Sequence, residues 1–186
     1  RVYGHPHLAP ELLDKVSMGF PELFEDEIRN KQICANPGCY PTSVILPLYP
    51  LVQKGWVTSP VVADCKSGVS GAGKTLKETS LYCEASGNMA AYGTGVHRHA
   101  SEMEGVLGLP VLFSPHLAPM SRGILSSIYI ELPEGLKEGH IVSELQRFYE
   151  GKPFVQIEQQ VEMPSTKYTS GSNLCMITVR VLEKYK

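Results

Sequence analysis

The stretch Ala35-Asn36-Pro37-Gly38-Cys39-Tyr40-Pro41-Thr42 sets a cysteine after a Pro-Gly turn and before the apolar run Ser43-Val44-Ile45-Leu46. Ahead of it, Gln32-Ile33-Cys34-Ala35 reads as a short buried strand. The implied path is strand, tight turn, helix, with Cys39 at or just before the helix N-terminus. There the unpaired N–H groups and the positive end of the helix dipole favour an anion. Thiols in such positions have lowered pKa values and spend more time as the nucleophilic thiolate. The same N–H groups can hold an oxyanion formed on a carbonyl under attack. The competing role for Cys39 is that of a small buried core residue, a common fate of cysteine.

Working outward, Pro41 to about Lys54 reads as a helix ended by Gly55, with a kink or break expected at Pro47 and Pro50. On the N-terminal side, His7 to Val16 reads as a short helix, and Met18 to Asn30 as a turn-rich segment in which Pro21 starts a helical turn. On the C-terminal side, Val57 to Lys66 reads as a strand feeding the loop Ser67-Gly68-Val69-Ser70-Gly71-Ala72-Gly73-Lys74. Ala90 to His99 reads as extended, followed by a short helix Glu102 to Leu107 with Ser101 and Glu104 as a capping box. Val111-Leu112-Phe113 and Gly123 to Leu132 are strands, the second with Ile124, Ile128, Ile130 and Leu132 on one face. Ile141 to Glu150 is an amphipathic helix; Phe154 to Ile157 and Leu174 to Leu182 complete the strands. This order predicts an α+β fold with an antiparallel or mixed sheet and helices packed on one face.

The 186 residues fit one domain, and 42% hydrophobic residues supply a core. A net charge of −2 argues against a nucleic-acid surface or a membrane-coating face. No apolar run reaches the ~20 residues that span a bilayer. The start, Arg1-Val2-Tyr3-Gly4-His5, has neither a Met nor a signal-peptide pattern, so a piece of a longer chain is expected. Five cysteines, an odd number with no C-x-x-C spacing, point to a reducing, cytoplasmic compartment.

Three further stretches carry chemistry. Gly68 to Thr75 matches the phosphate-loop pattern G-x-x-x-x-G-K-[ST] after a strand, and taken literally it predicts an ATP-binding kinase with Thr75 on Mg²⁺. Against this, no Asp-terminated strand supplies a second Mg²⁺ site, and Leu76 to Tyr82 lacks a helical period. In His97-Arg98-His99, an extended backbone would project both histidines to one side. One of them can act as general base towards a thiol, and Arg98 can pair with a carboxylate or phosphate. Two hydrogen-bonded core histidines are the competing reading. His97 and His99 with Cys39, or His5 with His7, have ligand-like spacing, but no complete metal frame is recognisable. Arg122, in the proline-bounded loop entering the second strand, can clamp an anion or simply cap the strand edge. Gly171-Ser172-Asn173 is a turn signal first and a site second.

Together, Asn36-Pro37-Gly38-Cys39-Tyr40-Pro41-Thr42, Lys66 to Lys74, Gly95-Val96-His97-Arg98-His99 and Ser121-Arg122-Gly123-Ile124 resemble the N-acetyl-gamma-glutamyl-phosphate reductase family of arginine biosynthesis. Tyr3-Gly4-His5 and Gly171-Ser172-Asn173 fit the same order. The resemblance implies Cys39 as the nucleophile, attacking N-acetylglutamyl phosphate, expelling phosphate and forming a thioester that NADPH reduces to the semialdehyde. It implies His99, with His97 as the alternative, as acid/base, and Arg98, Arg122, Asn36 and Ser67 as substrate contacts. Ser67, Gly68, Ser70, Gly71, Ala72 and Gly73 would lie by the nicotinamide.

By the same resemblance the fold is the mixed, largely antiparallel sheet of a glyceraldehyde-3-phosphate dehydrogenase-like C-terminal domain, with its second face used to pair subunits. Family members begin with a dinucleotide-binding domain. Here no G-x-G-x-x-G follows an opening strand. Residues 1–186 are therefore expected to be a single catalytic, substrate-binding and dimerisation domain, with no Rossmann domain. Such a fragment would form a homo-oligomer, hold NADP(H) weakly, and be inactive alone. A non-catalytic oligomerisation module is the remaining alternative.

Overall fold

The structure, a computed structural model, describes residues 6–162 and 164–185. In chain order the strands and helices are β1 Val16–Met18, α1 Pro21–Asn30, β2 Ile33–Ala35, α2 Cys39–Gln53, β3 Val61–Ser67, α3 Tyr82–Ala85, β4 Ala90–Ala91, α4 Arg98–Leu107, β5 Val111–Leu117, β6 Ile124–Tyr129, α5 Glu138–Phe148, β7 Val155–Ile157 and β8 Cys175–Ile177. A mixed four-stranded sheet in the order β4-β5-β3-β6 forms the scaffold. β3 and β5 run parallel, whereas β6 pairs antiparallel with β3 and β4 with β5. Two short parallel pairs, β1–β2 and β7–β8, stand apart from it.

Strand alternation decides which face is covered. Val61, Ala63 and Cys65 of β3 and Val111 and Phe113 of β5 are buried under the helices. Against them pack Tyr40, Val44, Ile45, Leu48 and Leu51 of α2, Met103 and Leu107 of α4, and Ile141 and Leu145 of α5. Ile124, Ile128, Ile130 and Leu132 close the same layer, on the face their spacing predicts. The expected α+β architecture, a mixed sheet with helices on one face, is thus present. Among the described residues no helix is long and apolar enough to cross a membrane.

Several boundaries differ from the sequence reading. α2 is one continuous helix through Pro47 and Pro50, with no break. The carbonyl of Leu46, which a proline four residues on cannot serve, instead accepts the hydroxyl of Tyr149 at 2.5 Å. β2 is exposed rather than buried, because the two-stranded β1–β2 pair turns only one side inward. Residues Pro10–Lys15 form a 3-10 helix, and the last strand stops at Ile177. Beyond it Val181 N–H donates to Glu138, which ties the chain to α5 instead of a sheet.

The largest correction concerns residues 90–107. Only Ala90–Ala91 are a strand, and α4 begins at Arg98, not at Glu102. His97 is the N-cap, and its Nδ1 accepts the N–H of His99 at 3.2 Å. The ring does the work assigned to Ser101, so the helix starts earlier. Glu104, read as half of a capping box, instead accepts the N–H of Val111 at 3.1 Å. Tyr3-Gly4-His5 lies outside the described residues.

Candidate active site

Gly38 is the N-cap of α2 and Cys39 its first residue, with the thiol exposed. The N–H groups of Cys39 and Tyr40 have no intrahelical acceptor at this end, and the dipole adds positive potential. Helix α4 packs across this terminus. A Cβ placed on Gly38 would lie 2.5 Å from His99 Nε2, so the imidazole rests directly against the residue before the cysteine. Three positions further along α4, Glu102 accepts the N–H of Gly38 at 2.9 Å. Gly38 is therefore in contact with both a ring and a carboxylate of α4.

The histidines of the triplet have different surroundings. Burial, then the charges of His97 and Arg98, lower the His99 pKa to about 4, and its Nδ1 is buried without a partner among the described residues. Burial also lowers the pKa of His97, whose Nδ1 is engaged in the cap. The two ring centroids are 4.7 Å apart, and both rings stand edge-on to Tyr40. Tyr92 donates to the Tyr40 hydroxyl at 3.1 Å, and Tyr40 donates to the His116 carbonyl at the same distance. Burial pushes both tyrosine hydroxyls up in pKa, so this chain stays protonated. Burial pushes the Glu102 carboxyl up as well, against the opposing pull of the Gly38 N–H.

The glycine loop does not form a phosphate cradle. Gly68 N–H donates to Gly123 O at 2.9 Å, Val69 N–H to Met120 O at 2.9 Å, and Ser70 N–H to Ser121 O at 3.1 Å. Gly71 and Gly73 N–H turn back onto Gly68 and Ser70. Donors already committed to an adjacent loop cannot ring a triphosphate. Val69–Ala72 is a 3-10 turn, and no α-helix starts at Lys74 or Thr75. The ATP-binding kinase alternative fails on both counts. The glycines instead permit close approach: a Cβ on Gly68 would meet Arg122 N at 2.8 Å, and one on Gly71 would meet Ser67 Oγ at 2.7 Å. Two stretches fifty residues apart are thereby locked together, with Arg122 exposed beside the loop.

Residues 39–186 match the family model of the semialdehyde dehydrogenase dimerisation domain. The chain belongs to that family. The N-acetyl-gamma-glutamyl-phosphate reductase of Citrifermentans bemidjiense is 46% identical over 185 residues, covering 95% of this chain and 53% of that protein. The chain thus spans about half the length of the curated relatives it matches. Aspartate semialdehyde dehydrogenase from Francisella tularensis superposes with a TM-score of 0.67 at 16% identity, over 90% of this chain and 62% of that one. The Candida albicans aspartate semialdehyde dehydrogenase with NADP superposes at 0.60 and 13% identity, over 83% and 54%. At these identities the structures establish the fold.

In this dimerisation domain, the sequence-derived residues Cys39, His97, His99 and Arg98 gather at the junction of α2 and α4. Arg98 and Asn36 are exposed there, and the charge of Arg98 reaches His97, His99 and Glu102. Ser67 differs from its expected role as a substrate contact. It is buried, its hydroxyl donates to Gly68 O at 3.1 Å, and Gly71 covers it. Ser70, Gly71 and Gly73 are exposed, with Ala72 partly so. Among the described residues no group of three or more His, Cys, Asp or Glu side chains could hold a metal.

Sequence reasoning missed Glu102, Tyr40 and Tyr92. His99 and Glu102 stand at i and i+3, one face of a helix. An extended reading of residues 90–99 hid that spacing.

Proposed function

We propose that this domain is the catalytic half of an NADPH-dependent reductase that converts N-acetylglutamyl phosphate to the semialdehyde through a thioester on Cys39. The observation carrying this reading is the exposed Cys39 thiol at a helix N-terminus, with His99 Nε2 lodged against Gly38. The names of the relatives supply the substrate. Cys39 Sγ forms a bond to the acyl carbon as the bond from that carbon to the phosphate oxygen breaks. His99, neutral because its environment disfavours the charged ring, takes the thiol proton at Nε2 and returns it when the product leaves. The N–H groups of the first turn of α2 stabilise negative charge developing on the acyl oxygen. Arg98 and Arg122 attract the substrate's carboxylate and phosphate.

NADP(H), when bound, supplies the hydride to the acyl carbon. The loop Ser67–Gly73 suits the nicotinamide end of that cofactor: Ser70, Gly71 and Gly73 are exposed and carry almost no side chain. Its spent N–H groups leave it nothing to offer the phosphates. The dinucleotide-binding part would then lie in another domain, and residues 1–186 form one domain. Subunits pair through the sheet face that no helix covers, giving a homo-oligomer in the cytoplasm.

The test is NADPH oxidation by the full-length protein with N-acetylglutamyl phosphate. Cys39→Ser should reduce kcat by at least about a thousandfold, and His99→Ala by about a hundredfold or more. Undiminished turnover in Cys39→Ser would refute the reading.

A further inference from the structure

On the uncovered sheet face, strand register arranges side chains in three cross-strand rows. Leu112, Val62 and Tyr129 form an apolar row, with Leu112 60% and Tyr129 57% exposed. Ser114, Asp64 and Ser127 form the next, and His116, Lys66 and Leu125 the third. Within this otherwise apolar and small-residue surface sits an ionic island. Lys66 Nζ lies 2.5 Å from Asp64 Oδ2, and His116 Nδ1 lies 3.2 Å from Asp64 Oδ1. Asp64 Oδ1 and His116 Nδ1 are buried atoms on a face that is otherwise open.

On the reading that subunits pair through this face, we propose that Asp64 and Lys66 are the self-complementary recognition pair that sets how a second copy docks. The acid row and the cation row are neighbours. A two-fold axis running along the rows, midway between them, lays Asp64 on the partner's Lys66 and Lys66 on the partner's Asp64. Such an isologous contact needs each surface to carry both halves of the match, as this one does. The apolar row supplies area to bury, and the island penalises other registers because a shifted dock desolvates the Asp64–Lys66 pair without giving either charge its second partner across the axis. The occupant is a second copy because one net-neutral patch presents both signs, whereas a partner of single-signed charge would meet repulsion from one of them.

A charge-swap experiment on the full-length protein tests this, read by sedimentation equilibrium. Asp64→Lys alone and Lys66→Asp alone should each weaken self-association by about tenfold or more, since each places like charges opposite each other. Mixed in equal amounts, the two variants should recover assembly, because each cation now faces an acid across the axis. Far-UV circular dichroism and thermal melts of each variant separate lost pairing from lost folding. Wild-type assembly with no loss in either variant, or folded variants that stay apart when mixed, would overturn the proposal. A wild-type protein that remains monomeric at micromolar concentration would overturn the pairing face itself along with it.

Discussion

Gly38 has no side chain, and two side chains of α4 depend on that. Its φ is −66°, so the backbone itself would accept another residue. The constraint is space: a methyl group would meet His99 Nε2 at 2.5 Å, Cε1 at 2.7 Å and Cδ2 at 2.9 Å. Gly38→Ala should therefore push the ring from its place, cost about 1–3 kcal/mol as overpacking does, and lower kcat far more than it raises KM. Adding His99→Ala should recover most of the lost stability and none of the activity. Urea melts and steady-state kinetics of the three proteins check this. A Gly38→Ala protein with native kinetics would show that the ring has room to move.

His99 also imposes a pH signature on stability. Its folded pKa is about 4, depressed below the ordinary imidazole value, mainly by burial. Between that ordinary value of roughly 6.5 and the folded value, the unfolded chain binds more protons. Stability is then complete above the upper limit and falls as pH drops through this window. His99→Asn should flatten that fall. The difference stays below the one-proton limit of about 1.4 kcal/mol per pH unit, since the ring is partly solvated. Urea midpoints at pH 7.5 and 5 give the comparison, and equal losses in both proteins would place the acid sensitivity elsewhere.

Among the elements, α2 is the one whose sequence and structure disagree most usefully. Two interior prolines each remove a helix hydrogen bond, which argues for a break. Yet residues 39–53 are one helix, buried on eight positions. Tertiary contacts offset the lost bonds: Leu46 O takes the Tyr149 hydroxyl from a residue 103 positions away. Tyr149→Phe should cost about 1–2 kcal/mol, because it leaves that carbonyl buried without a donor. In a Pro50→Ala background the restored N–H serves the same carbonyl, and Tyr149→Phe should then cost markedly less. Equal costs in the two backgrounds, in a double-mutant cycle, would sever the link. α4 teaches the reverse lesson. Its start depends on His97 behaving as a cap, a role imidazole seldom fills, so propensity pointed to Ser101 instead.

For the whole molecule, strand periodicity and local turn chemistry were readable because they depend on neighbours in the chain. The alternation of β6, the helix after Cys39 and the α+β class follow from spacing alone. The fate of the glycine loop was not readable. Its letters are those of a phosphate loop, and only the docking of residues 120–123 onto its N–H groups removes that function. The same holds for the site: Cys39 and the His-Arg-His triplet were visible as residue types, while Glu102 became visible only when α4 was seen to start at Arg98.

The chain by itself determined a cysteine at the start of a helix and the alternation that gives the sheet one covered face, because both depend on side chains a few positions apart. Tertiary structure alone decided which histidine meets Gly38, where the glycine loop spends its donors, and which charges share the open face. Those outcomes depend on contacts between segments fifty or more residues apart, or on strands whose register no local pattern states.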